Sequence, residues 1–506
     1  MEQSVRRTKP LGELIRRKEG SRLTRTLGSL DLVALGIGAI IGTGIFVVTG
    51  VAAAQYAGPG LVVSFVLAGI AAGLAALVYA ELASAIPIAG SAYTYSYAAL
   101  GEFVAWIVGW NLMLEYMVAL GAVAIGWGSY FTDMMRSVGF TLPRALVASP
   151  AEGGIVNLPG VLVTFLIAYL VFRGTKQSAS VNRVIVFIKL AVILLFIILG
   201  IKYVNPANWR PFLPFGPSGI VQGAAIIFFA YIGFDAVATA AEETKKPQRD
   251  LPIGIIGSLA ISTILYIGVT LVLTGLVPYS QLNTASPVAT ALLRVGIPFA
   301  GLIVSIGALA GISSVLVVML YAQSRIFFAM ARDGLLPPVF ARVHPKYKTP
   351  YFSILIAGGV VALTAGFLPI SIVAQLANIG TLTAFIITAV GVLILRKKRP
   401  DLPRPFKTPG TPVTPLVSIA VSLFLILNLP PLTWIRFAVW MAIGLIIYFV
   451  YSYRHSKLNV KEQSFNLRAL VMAPVAKPIP ERETTFVDPN DEKPFKVTPA
   501  RKDKDS

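Results

Sequence analysis

Apolar runs of roughly 20 residues, separated by short polar and basic stretches, recur from residue 29 to residue 453. About 20 apolar residues is the length a helix needs to cross a bilayer. Twelve runs are readable, near 29–57, 58–86, 91–131, 156–174, 182–203, 217–241, 251–276, 300–331, 350–368, 371–395, 414–430 and 433–453. The third exceeds what a span requires, which predicts a tilted helix or one that runs on into a loop. None has the short alternating pattern of a barrel strand. The pattern predicts an all-α integral membrane protein with twelve transmembrane helices.

Two of these runs are interrupted. Leu30–Gly50 carries Gly42-Thr43-Gly44 near its middle, and Gly223–Glu243 carries Gly233-Phe234-Asp235. Glycine weakens a helix by about 1 kcal/mol relative to alanine. Unwound backbone at mid-membrane depth persists only where it is buried in protein or lines a cavity. Matched breaks in two halves of a chain point to the central site of a secondary transporter. The first run goes from inside to outside and the sixth from outside to inside. The expected plan is therefore a 5+5 inverted-repeat transporter fold with discontinuous helices 1 and 6. Spans 1–5 (29–203) form one repeat, spans 6–10 (217–395) the other, and spans 11–12 (414–453) are appended. A basic arm (1–28) and a polar tail (454–506) flank them, the arm with a short amphipathic helix at Leu11–Lys18 and the tail disordered.

Charge refines the topology. The net charge is +20, a value that raises the question of nucleic acid. Its placement answers otherwise, because 36 of the 43 Lys and Arg fall on one side of the expected spans. That is the positive-inside bias, and it places both termini in the cytoplasm; the absence of an N-x-S/T sequon and the short outer loops fit a bacterial inner membrane. The expected partners are an L-amino acid and the lipid bilayer, with no nucleic acid. Cysteine is absent, which excludes disulfides and thiolate chemistry. Only two histidines occur, His344 and His455, both in cytoplasmic segments. No nucleophile–base arrangement or phosphate loop stands out, so an enzyme is not expected.

The breaks suggest a ligand. Amides of Thr43 and Gly44 open a half-helix, whose positive end suits a carboxylate. Carbonyls of Ile40 and Ile41 close the preceding half-helix and suit an ammonium. The second break offers carbonyls of Phe229, Ala230 and Ile232. An α-amino acid carries both complementary groups on adjacent atoms. Asp235, one turn beyond Ile232, reads first as a cap of the second half-helix and otherwise as a contact to a substrate side chain.

Ionisable residues inside spans are functional hypotheses, because charge in hydrocarbon is costly. Lys189 lies mid-span in span 5. Desolvation favours its neutral amine, so it can bind and release a proton during a cycle; the alternative is a permanently charged lysine that locks span 5 to span 1. Glu115 in span 3 is the second proton candidate, and otherwise lines the vestibule or serves as scaffold. Glu81 and Tyr93 lie toward the cytoplasmic ends of spans 2 and 3, where an inner gate or scaffold role fits.

At these residues the chain resembles the amino acid–polyamine–organocation superfamily. Four stretches carry the likeness: Gly36 to Phe46; Tyr79 to Ala83 with Pro87 to Tyr95; Phe229 to Asp235 running into Glu242 to Pro252; and Arg325 to Pro337. Within the superfamily it resembles the cationic amino-acid transporter branch, whose animal members have fourteen spans rather than twelve. The resemblance implies alternating access, with spans 1, 2, 6 and 7 rocking against 3, 4, 8 and 9. It implies an aromatic gate at Phe229. It also implies that the Lys189 ammonium occupies the place where sodium-coupled relatives hold their ion, so the coupling ion is a proton, no sodium is expected, and no cofactor is needed. The side-chain pocket is expected to be lined by Phe229, Ile232 and Met319, and the bulk of Met319 favours small neutral substrates such as alanine. Proton symport is thus the expected activity. The alternatives are a facilitator or exchanger of arginine and lysine, and, more remotely, a non-transporting sensor.

Overall fold

The structure, a computed structural model, describes residues 25–88, 91–174, 179–347 and 349–458. The arm before residue 25 and the tail beyond residue 458, with the amphipathic helix and the disorder expected there, lie outside the described residues. Those residues are helical, with two isolated bridges (Leu27 with Thr244, Val147 with Asn157) and no strand. The main helices are α1 (Ser29–Ile40), α2 (Leu61–Ala85), α3 (Ser91–Ala99), α4 (Glu102–Ser137), α5 (Leu158–Phe172), α6 (Ala179–Gly200) and α7 (Gly216–Ile227). They continue with α8 (Ala236–Thr239), α9 (Pro247–Leu276), α10 (Pro287–Arg294), α11 (Pro298–Arg332), α12 (Tyr351–Phe367), α13 (Ile370–Lys398), α14 (Val413–Leu427) and α15 (Pro431–Ile447).

Among the described residues, eight helical stretches are long and apolar enough to cross a membrane by length and composition, and α1, α5, α12 and α14 are shorter apolar helices. One of the eight, Gly44–Ala85, is not straight. Gly58 takes φ +61 at the end of its first part, a conformation that favours glycine. The long third run also divides: Gly101, at φ +103, separates α3 from α4.

Local chemistry sets the helix ends. The Asn157 side chain accepts from the Gly160 amide at 3.1 Å and caps α5. Proline occupies the first turn of α9, α10, α11 and α15, where its missing amide costs nothing. In the packed interior α9 lies along α1 and α2, while α11 and α13 lie along α4. Trp106, Trp110 and Trp440 stack in sequence and join α4 to α15. At one end of α2, the buried Glu81 accepts two hydrogen bonds from Arg396 of α13, at 2.8 and 2.6 Å.

Candidate functional site

The first break begins where α1 stops. Ile41 is extended (φ −79, ψ 102), and its amide donates to Ile37 in the last regular turn. The final carbonyls of a helix have no donor of their own. Here side chains from other helices supply them. Lys189 Nζ donates to the carbonyls of Gly38 (3.0 Å) and Ile41 (2.9 Å), at a helix C-terminus, where the macrodipole favours the charged form. The hydroxyl of Tyr266, from α9, donates to the carbonyl of Ile40 at 3.1 Å. The helix resumes at Gly44 with π-type turns, and its opening amides have no intrahelical acceptor. Thr43 is pinned to α4: its hydroxyl donates to the Val123 carbonyl at 3.3 Å, and it packs where Gly126 has no side chain.

The second break follows α7. A 3₁₀ turn, Phe228–Tyr231, leads to extended Ile232 and then to Gly233 at φ +118. The Tyr266 hydroxyl that reaches Ile40 also reaches the carbonyl of Ala230, at 2.8 Å. The Phe229 carbonyl accepts from the Ile232 amide at 3.3 Å.

The two breaks lie against one another, and this contact explains their glycines. A Cβ on Gly44 would stand 2.4 Å from Ala230 Cα, and one on Gly233 would stand 2.9 Å from the Ala39 carbonyl group. Neither backbone can retreat, so a side chain at either place would separate the crossing. Ile40, Ile41, Thr43, Gly44, Phe229, Ala230 and Ile232 are all buried there.

Lys189 is fully buried and lies across Gly311 of α11, where an added Cβ would come within 3.3 Å of the lysine stem. No carboxylate pairs with it among the described residues; backbone carbonyls alone accept hydrogen bonds from its Nζ. Asp235 stands at the N-terminal boundary of α8 yet makes no side-chain cap bond. Its carboxylate instead accepts from the Tyr116 hydroxyl at 2.9 Å, so the capping expectation gives way to a link between the second break and α4. Glu115 precedes Tyr116. Among the described residues, both its carboxyl oxygens are buried without a hydrogen-bond partner, as are both polar atoms of Asn111 one turn earlier. Tyr116, which donates to Asp235, directly follows Glu115 in α4. Met319 is buried on α11, one turn after Val315. Residues four apart share a helix face, and Val315 packs against Gly42, with 3.2 Å to a Cβ placed there.

Glu81 and Tyr93 belong to other networks. Glu81 meets Arg396 and Arg404, and Tyr93 donates to Asp333 at 2.9 Å. Sequence reasoning missed Tyr266 and Tyr116. The rule applied to Lys189, that a polar group in an apolar run needs a partner, extends to hydroxyls and marks both.

An amino acid permease profile matches residues 27–453. The chain belongs to the amino acid permease family. The methylthioribose transporter of Bacillus subtilis (strain 168) is 50% identical over 458 residues, which cover 90% of this chain and 99% of that protein. The branched-chain amino acid permease BcaP of the same organism is 50% identical over 465 residues, 91% of this chain and 100% of that protein. Cationic amino acid transporter 9, chloroplastic, of Arabidopsis thaliana is 40% identical over 390 residues, 76% of this chain and 68% of that protein. The chain is thus a multi-pass membrane permease in a family of transporters. The two Bacillus relatives are equally similar to it and carry differently named cargoes, so identity alone does not set the cargo of this permease.

Proposed function

We propose that this permease takes up neutral L-amino acids, small ones such as alanine first and branched ones within range, by proton symport with alternating access. The observation that carries the reading is the crossing of two broken helices. Amides at Thr43 and Gly44 face the carboxylate, and carbonyls at Ile40 and Ala230 face the ammonium. Phe229, Ile232 and Met319 give the side chain an apolar, shortened pocket. Lys189 carries the coupled proton while it bridges Gly38 and Ile41, and Glu115 with Asp235 forms a second acidic position next to the substrate. An ammonium on these carbonyls leaves no room for sodium.

The architecture proposed with it is twelve spans in a 5+5 inverted repeat, the long stretch Gly44–Ala85 counting as the end of span 1 plus span 2. Positive-inside charge supports cytoplasmic termini in an inner membrane. A proton contributes about 2.3 kcal/mol per 100 mV and about 1.4 kcal/mol per pH unit. A cationic substrate is driven by the potential without a proton, so a coupling lysine and a neutral cargo fit together. The name of the BcaP relative favours branched-chain cargo; that of the methylthioribose transporter supports a second reading, a neutral cargo with neither carboxylate nor ammonium.

The test is uptake into proteoliposomes of labelled alanine, valine, arginine and methylthioribose under an imposed inward proton gradient. Concentrative alanine or valine uptake that an uncoupler abolishes supports the proposal. Arginine uptake indifferent to the gradient moves the assignment to a cationic facilitator or exchanger, and methylthioribose alone moves it to the second reading.

A further inference from the structure

A cavity of about 630 Å³ opens at the surface beside the first turns of α9, with Pro405 and Phe406 as its other wall. This lies in the range of about 300–1,000 Å³ usual for small-molecule sites. Pro252 and Ile253 make its floor apolar, and Gln248 and Arg249 stand at one end. The wall is fixed. The Phe406 amide donates to Ser84 Oγ at 3.3 Å, and the Thr408 amide donates to Glu81 at 2.8 Å.

Three features describe what fits. Arg325, Arg396, Arg399 and Arg404 all have carboxylate partners, but Arg249 is exposed and has none among the described residues. Lys407, next to Phe406, is also exposed, and no acidic residue lines the cavity. The neighbouring Asp250 is buried on another face of α9. Finally, Pro252 lies inside α9 and has no amide to give the carbonyl four residues earlier, so the Gln248 carbonyl lacks its regular helical donor. The occupant therefore carries an anion, a hydroxyl donor and a hydrocarbon chain.

We propose that this groove binds one phosphatidylglycerol-type lipid from the leaflet that the start of α9 meets. Its phosphate sits on Arg249 and Lys407, its headgroup hydroxyls on the Gln248 carbonyl, and an acyl chain along Pro252 and Ile253. The site is separate from the crossing of the broken helices and does not depend on the transported substrate.

Native mass spectrometry of the full chain in detergent, supplied with equal phosphatidylglycerol and phosphatidylcholine, tests it. Each basic residue near an anionic lipid contributes about 1 kcal/mol, or roughly fivefold in binding. Wild type is expected to retain phosphatidylglycerol preferentially. Arg249→Gln should reduce that preference about fivefold, and Arg249→Gln with Lys407→Gln about thirtyfold. Ile253→Trp, which covers the floor, should displace the bound lipid. Should that variant fail to fold, the charge variants decide alone. Unchanged phosphatidylglycerol retention in the double charge variant means surrounding bilayer lipid only and overturns the proposal. A dimer lost on Ile253→Trp, without lipid retention, gives the groove to a second copy and overturns it equally.

Discussion

If Lys189 carries the coupled proton as proposed, replacing it with methionine should separate coupling from translocation. Methionine keeps the length of the stem across Gly311 and removes the donor that holds the Gly38 and Ile41 carbonyls at 3.0 and 2.9 Å. Two hydrogen bonds from a charged donor contribute about 1.5–3 kcal/mol each. Burying the ammonium costs several kcal/mol, so the losses offset and the variant should fold. The effect on work is larger. With about 100 mV and about one pH unit imposed, one proton carries about 3.7 kcal/mol, enough for roughly 500-fold accumulation of a neutral substrate. Lys189→Met should bring alanine or valine accumulation down to equilibration while counterflow exchange persists. The assay is proteoliposome uptake with a potassium diffusion potential and an acid exterior, with internal pH followed by a trapped dye. Accumulation above about tenfold with accompanying acidification would refute the assignment of the proton to Lys189.

Three further outcomes follow from the geometry. Met319→Ser should lengthen the pocket and let arginine compete for uptake; competition by arginine that does not change counts against Met319 as the pocket floor. Gly44→Ala places a methyl 2.4 Å from Ala230 Cα, so it should destabilise the protein by about 1–3 kcal/mol and abolish uptake, whereas Gly73→Ala, with open space around it, should be silent in the same melting and uptake assays. Glu81→Ala removes the acceptor of the two Arg396 bonds and should cost on the order of 3 kcal/mol, read as a lower melting temperature, with Asp401→Ala on the exposed Arg399 pair as an unaffected control.

The parts of this molecule legible in the sequence are those written in short-range pattern. Apolar runs marked the helices, paired glycines (Gly42 and Gly44) marked the first break, and Gly233 with Asp235 marked the second, because glycine and a buried charge both weaken the interior of an apolar helix. The contact between the breaks was not legible. Gly44 meets Ala230 and Gly233 meets Ala39, pairings that depend on how distant helices cross. The same applies to Tyr266, which serves two carbonyls from a third helix, and to Glu81 and Arg396, partners 315 residues apart. The boundary between α3 and α4 was missed because the apolar pattern continues through Leu100 while Gly101 turns the backbone. Lys189 was flagged by its type alone, but which carbonyls it would hold could not be read without the fold.

Tyr266 has one hydroxyl hydrogen and two waiting acceptors, the carbonyls of Ile40 and Ala230. A hydroxyl donates once, so at any instant one of the two oxygens is underserved. The single hydrogen is therefore shared between the two halves of the chain, and a change in the distance between the breaks shifts it from one oxygen to the other. Tyr266 thus acts as a reporter of the crossing: its hydrogen bonding registers whether the two broken helices are drawn together or apart, through a ring that belongs to neither.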